Sequence, residues 1–158
     1  MYRDSKDILD IRDYGFCKVQ IEINNTCNFN CSFCSLSLSK LPKRYMKKEE
    51  VFRILDYLSS CKGIRYVTFP QFGEPLLNKN IWDYLDKCRS LGLKSELVTN
   101  GFLLNEENID RLYKHRPDAL QISLQIMDPN KHNKIRGTNS SFDLYINRIV
   151  TCLAKFID

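Results

Sequence analysis

Residues 17–23 alternate without a break, with Cys17, Val19, Ile21 and Ile23 on one side and Lys18, Gln20 and Glu22 on the other. A period of two belongs to a strand whose faces meet different surroundings. Residues 49–61 change to a helical period, with Val51, Ile54, Leu55 and Leu58 forming an amphipathic stripe. The aromatic and β-branched run 64–70 predicts a second strand. Asn80 stands where a helix N-cap belongs, ahead of Ile81, Leu85 and Cys88 and a stop at Gly92. Residues 93–99 predict a third strand. Asn105 opens a short helix through Ile109, Leu112 and Tyr113, ending before Pro117, and residues 119–124 predict a fourth strand. The longest helical stripe comes last: Phe142, Tyr145, Ile146, Ile149, Val150 and Leu153.

Four strand–helix units in strict alternation predict an α/β fold, a parallel sheet with right-handed crossovers. A parallel strand buried on both faces reads as a continuous apolar run. Here the first strand carries Gln20 and Glu22, and the fourth carries Gln121, Ser123 and Gln125. One face of the sheet is therefore expected to be polar. Either it lines a cavity, or these two strands are edges with a solvated face.

The chain of 158 residues is long enough for one domain and one core. No apolar run approaches the length of a membrane span, and residues 1–7 lack the apolar core of a secretory signal, so the expected location is the cytoplasm. The net charge of +5 is mild, and Lys40, Lys43, Arg44, Lys47 and Lys48 read as a solvated loop entering a helix. No basic stripe interleaved with aromatics is present, which argues against a nucleic-acid partner. Seven cysteines, an odd and clustered set, fit a metal or cluster site better than a disulfide framework.

The cluster of cysteines follows the first strand directly. Cys27, Cys31 and Cys34 have the spacing Cys-x3-Cys-x2-Cys on a loop at a strand's carboxyl end, where α/β folds place their sites. Three thiolates holding a four-iron cluster leave one iron without a protein ligand. That iron is free to chelate the amino and carboxylate groups of S-adenosylmethionine, whose sulfonium bond an electron from the reduced cluster then breaks. A structural zinc site is the alternative, with Cys17 or Cys61 as the fourth ligand. Zinc sites usually pair two short cysteine elements, and no second element exists here.

The segment Cys27-Asn28-Phe29-Asn30-Cys31-Ser32-Phe33-Cys34 resembles the signature of the radical SAM superfamily, including the aromatic residue before the last cysteine. Three further segments match in order. Phe72-Gly73-Glu74-Pro75 is similar to the family's Gly-Gly-Glu-Pro motif, with Phe72 in place of the first glycine. Thr99-Asn100-Gly101 is similar to a Thr-Asn-Gly segment after the third strand. Ser123-Leu124-Gln125, followed by His132 and Ile135-Arg136-Gly137, resembles the SPASM and molybdenum-cofactor branches.

The resemblance implies a partial (βα)6 TIM-like barrel with a [4Fe-4S] cluster on Cys27, Cys31 and Cys34. It implies S-adenosylmethionine contacts from Phe33 at the adenine and from backbone groups of Gly73, Glu74 and Pro75 at the amino group. Thr99 and Asn100 would shape the cavity floor. Ser123 and Gln125 would approach the ribose, and Arg136 would pair with the carboxylate, which its fork binds bidentately. His132 reads as a support of its loop rather than an acid or base. The other cysteines, Cys17, Cys61, Cys88 and Cys152, read as packing residues.

The family core has six strand–helix units, and residues 17–158 supply four after an N-terminal extension, residues 1–16. The expectation is a core domain that is incomplete at its C-terminus, completed by a missing C-terminal domain or a partner chain. The function implied is hydrogen abstraction by a 5′-deoxyadenosyl radical from a small-molecule or peptide substrate, with flavodoxin or ferredoxin as reductant. Two other readings stay open: a non-catalytic iron–sulfur module and a zinc-binding domain.

Overall fold

The computed structural model describes residues 17–69 and 72–157. The proposed N-terminal extension and the end of the predicted strand at Pro70 lie outside the described residues. The elements run β1 (Cys17–Gln20), α1 (Ser35–Leu38), α2 (Lys48–Ser60), β2 (Ile64–Phe69), a 3-10 turn (Pro75–Leu77), α3 (Ile81–Ser90), β3 (Lys94–Thr99), α4 (Glu106–Lys114), β4 (Ala119–Ile122), α5 (Pro129–Arg136) and α6 (Phe142–Ile157). All four strands are parallel in the order β1-β2-β3-β4. This is the parallel α/β sheet that the alternation predicts. Among the described residues no helix is long and apolar enough to cross a membrane.

The register shows how period two becomes a two-faced sheet. Val19 pairs with Val67, and Phe69 pairs with Leu97, so these residues share the face that the helices cover. There they join Val51, Leu55, Ile81, Leu85, Ile109, Leu112, Tyr145 and Ile149 in one apolar core. The opposite face carries Gln20 beside Thr68 and Thr68 beside Glu96. Thr68 Oγ1 donates to Glu96 at 2.8 Å, and Lys18 pairs with the same carboxylate. β1 and β4 are indeed the sheet's edges. Yet Thr68 and Glu96 sit on the central strands, so the polarity belongs to the whole face and not to solvated edges alone.

Local chemistry sets the helix boundaries. Glu50 reaches back to the Lys47 N–H at 2.9 Å and starts α2. Asn105 accepts from the Asn108 N–H at 2.9 Å and starts α4 as predicted. Asn80 precedes α3 but makes no side-chain cap; Asn78 does the local work, accepting from the Asn80 N–H at 3.0 Å.

Some inward assignments are corrected. Val150 and Leu153 are exposed. The buried stripe of α6 passes instead through Tyr145, Ile149 and Cys152, a 3.6-residue repeat that leaves Val150 and Leu153 on the outside. Cys88 and Cys152 are buried in the core, where burial pushes the Cys88 thiol up to about 12. Cys17 and Cys61 are only half-buried.

β1 and β4 are shorter than their apolar patterns. Beyond Gln20 the sheet keeps one bond, Ile21 N–H to the Thr68 carbonyl at 3.0 Å. Residues 23–25 then turn to a neighbouring segment, Met46 N–H reaching the Ile23 carbonyl at 2.9 Å. Beyond Ile122, Ser123 N–H still bonds the Thr99 carbonyl at 2.8 Å, but its own carbonyl is taken by Arg136 and Tyr145 side chains.

Candidate functional site

The carboxyl ends of all four strands feed loops into one cavity of about 210 Å³. Its walls include Cys27, Cys31, Cys34 and Phe33 after β1, Gly73 and Glu74 after β2, Thr99 and Asn100 at the end of β3, and Ser123, Gln125 and Arg136 after β4. Of the candidate residues only Pro75 is absent from the lining; it is buried and starts the 3-10 turn.

Three loops are locked together beneath this cavity. Gly73 has φ +83°, and a Cβ there would stand 2.5 Å from the Asn24 carbonyl oxygen and 3.0 Å from that of Thr26. Only glycine permits that approach. The next residue bonds across it, Glu74 N–H to the Thr26 carbonyl at 2.7 Å, while Asn24 Nδ2 donates to the Glu74 carbonyl at 3.2 Å.

The Glu74 side chain, 1% exposed, accepts from Thr99 Oγ1 at 2.7 Å, Leu76 N–H at 3.1 Å and Asn100 N–H at 2.8 Å. Burial pushes its pKa up to about 7, while those donors pull the other way. Glu74 thus ties the loop after β2 to the end of β3.

The cysteine loop is clamped from the other side by α5. Asp128 accepts from the Asn130 and Lys131 N–H groups at 3.0 and 3.1 Å, Pro129 takes the first helical position, and Gly137 ends the helix at φ +60°. Asn30 N–H bonds the Arg136 carbonyl at 3.0 Å, and Ser32 N–H bonds that of Ile135 at 2.9 Å. A Cβ on Gly137 would stand 2.4 Å from the Asn30 carbonyl.

Arg136 itself is 3% exposed and lies over the Phe29 ring at 5.2 Å. Its Nη2 donates to the Ser123 carbonyl, and its Nη1 is 3.7 Å from Cys31 Sγ. Cys27 Sγ receives the Phe29 N–H at 3.4 Å and Asn100 Nδ2 at 3.6 Å. Burial raises the Cys27 thiol above its ordinary pKa, and these donors oppose that rise.

The two aromatics of the loop divide their tasks. Phe29 is buried, 5.3 Å from Phe102 and 6.4 Å from Tyr145, whereas Phe33 is 57% exposed on the cavity wall. His132 is buried between Phe142 and Tyr145, with ring centroids at 5.0 and 4.7 Å. Burial and the Arg136 charge hold its pKa below the usual value, and it does not line the cavity. It packs; it does not face a reactant.

The donor set, three thiols on one cavity wall, is compatible with an iron–sulfur cluster. No three Cys, His, Asp or Glu side chains among the described residues converge as ligands of one metal ion. Cys17 begins β1 and Cys61 follows α2, at the end of the sheet opposite the cysteine loop, so neither supplies a fourth zinc ligand. Three cysteines with no fourth on the cavity wall suit a larger body that keeps one corner open.

The pattern of apolar positions marks neither Asn24, nor the burial of Phe29, nor the helical state of residues 129–136. Asp128-Pro129 and Arg136-Gly137 are start and stop signals that mark α5 without any apolar stripe. Nothing local distinguishes Asn24, whose role depends on Gly73 folding against it.

The chain belongs to the radical SAM superfamily, whose family model matches residues 21–158. An uncharacterised protein of Methanocaldococcus jannaschii is 32% identical over 131 residues, covering 82% of this chain and 40% of that protein. A PqqA peptide cyclase of Xanthomonas axonopodis is 28% identical over 123 residues, covering 78% of this chain and 33% of that protein. Streptococcus suis SuiB, solved bound to S-adenosylmethionine, superposes with a TM-score of 0.65 at 22% identity, over 79% of this chain and 29% of SuiB. The same fold match holds for SuiB bound to its precursor peptide SuiA. The chain therefore spans 33–40% of the length of these two curated relatives.

Proposed function

We propose that Cys27, Cys31 and Cys34 would hold a [4Fe-4S] cluster and that the cavity they line would bind S-adenosylmethionine. The chemistry such a cluster would supply, once reduced, is the electron that would split the cofactor into methionine and a 5′-deoxyadenosyl radical able to take hydrogen from a substrate. The observation that carries this reading is that the three thiols share one cavity with Gly73, Glu74, Asn100 and Arg136.

In this reading the chain's own residues bind and orient. Phe33, exposed at the cavity wall, offers its face to the adenine. The Gly73–Glu74 backbone, fixed against Thr26, offers carbonyl acceptors to the amino group, and Pro75 terminates that segment. Ser123 and Gln125 reach the ribose, and Thr99 and Asn100 form the floor. Arg136, whose Nη2 and Nη1 face the Ser123 carbonyl and Cys31 Sγ, lends its charge rather than a free bidentate fork to the carboxylate.

The substrate we propose is a small molecule or a peptide. PqqA peptide cyclase among the relatives and the SuiA-bound SuiB among the similar folds favour the peptide. A flavodoxin or ferredoxin is the proposed electron donor, and the cytoplasm the proposed location. Residues 17–158 form the core domain in this proposal. In this proposal a further domain or a partner chain would add strands at the edge of β4.

The test is anaerobic reconstitution with iron and sulfide, then reduction in the presence of S-adenosylmethionine. Release of 5′-deoxyadenosine from the wild-type chain, abolished in Cys31→Ala, supports the proposal. A loaded cluster with no nucleoside product reduces it to an iron–sulfur module, and zinc without iron or sulfide overturns it.

A further inference from the structure

We propose that Asn100 and Arg136 set the reduction potential of the cluster through N–H···S hydrogen bonds to Cys27 and Cys31. The inference rests on the cluster reading above and adds to it a role that the cavity's shape alone does not require. Reduction adds one electron to the cluster from an external one-electron donor, a reduced flavodoxin or ferredoxin. The extra negative charge spreads onto the cysteine sulfurs. Donors aimed at those sulfurs stabilise the reduced form and raise the potential.

The geometry aims them with little freedom. Asn100 Oδ1 accepts from the Phe102 N–H at 2.9 Å, which fixes the amide orientation and turns Nδ2 toward Cys27 Sγ, 3.6 Å away, and toward Asn28 Oδ1 at 2.9 Å. The Asn100 backbone is held at both ends, its N–H by Glu74 at 2.8 Å and its carbonyl by Tyr145 Oη at 2.9 Å.

Arg136 is fixed by the Ser123 carbonyl and by the face of Phe29, leaving Nη1 on Cys31 Sγ at 3.7 Å. Both residues are buried, where a hydrogen bond to a charged sulfur is screened little by water. Among the described residues no side chain or backbone donor reaches Cys34 Sγ, so the stabilisation falls on the Cys27 and Cys31 side. Arg136 carries a full charge and contributes more than the neutral amide.

The experiment is a redox titration of the reconstituted chain, followed by the electron paramagnetic resonance of the reduced cluster. Variants Asn100→Leu, close in shape, and Arg136→Met, shorter and uncharged, remove the donors; Cys61→Ser, outside the cavity, is the control. At the wild-type midpoint, the ratio of reduced to oxidised cluster should fall about tenfold in Arg136→Met, equivalent to about 59 mV for a one-electron couple. It should fall a few-fold in Asn100→Leu and not at all in Cys61→Ser. Arg136→Lys, which keeps the charge, should recover part of the loss.

Variants that hold wild-type iron and sulfide at an unchanged potential overturn the inference. Loss of the cluster from every variant, Arg136→Lys included, also overturns it, in favour of a purely structural role. A wild-type chain that takes up no iron or sulfide overturns instead the cluster reading on which it stands.

Discussion

The Asn24 carbonyl oxygen stands 2.5 Å from the point where a Cβ on Gly73 would lie. That approach lets the loop after β2 seat itself against the segment leading into the cysteines. Gly73→Ala meets two penalties: a left-handed backbone, about 1–2 kcal/mol, and a collision with main chain that has no side-chain route of escape. Gly92, at φ +70°, has no atom within 4 Å of its Cβ position and isolates the first penalty. Urea unfolding of the two alanine variants should show Gly73→Ala losing at least about 2 kcal/mol more than Gly92→Ala. Equal losses would mean that the contact is slack.

Glu74 makes stability depend on pH. Its folded pKa, about 7, lies above its usual value of 4.5, so between these the folded chain binds more protons than the unfolded one. Stability from this group is therefore present at low pH and declines as pH rises from about 4.5 to about 7. The shift corresponds to about 3 kcal/mol. Glu74→Gln cannot titrate. Its stability relative to wild type should improve across that window by a similar amount, read from denaturant midpoints at each pH. A difference that stays flat from pH 4 to pH 8 refutes the assignment.

Tyr145 ties α6 to the site, its hydroxyl donating to the Asn100 carbonyl at 2.9 Å and lying 3.3 Å from the Ser123 carbonyl. Tyr145→Phe keeps the ring contacts with Phe29 and His132 and leaves the buried Asn100 carbonyl without that donor. The expected loss is about 1–3 kcal/mol. For a chain of 158 residues that is about 2–4 °C of melting temperature per kcal/mol. A melting temperature unchanged within 1 °C would show that water replaces the hydroxyl.

The alternation of periods two and 3.6 made the four strands and their helices legible, because each has one face against the core and one away from it. The cavity was legible in part for a different reason: Cys27, Gly73 and Asn100 lie at strand ends or in the loops that follow them, Arg136 ends the helix α5 that follows β4, and a parallel sheet brings such ends together. What stayed hidden depends on contacts made only after folding. Asn24 reads as an ordinary turn residue until Gly73 folds against it. α5 has no apolar stripe, since its buried residues, His132 and Arg136, are polar. Val150 and Leu153 misled for the converse reason: α6 is apolar on more than the face it buries.

Phe29 and Phe33 sit four residues apart on one loop and should separate stability from binding. Phe29 is 7% exposed within an aromatic cluster, and its truncation to alanine should cost about 3–5 kcal/mol of stability. Phe33 is 57% exposed, so Phe33→Ala should change stability by no more than about 0.5 kcal/mol. If its ring stacks on the adenine, its loss removes about 1–3 kcal/mol of affinity. That is a weakening of S-adenosylmethionine binding by roughly 5- to 150-fold. Thermal melts and equilibrium dialysis on the cluster-loaded chain measure the two effects separately. A Phe33→Ala protein that melts as low as Phe29→Ala, or that binds the cofactor as tightly as wild type, would remove Phe33 from the adenine site.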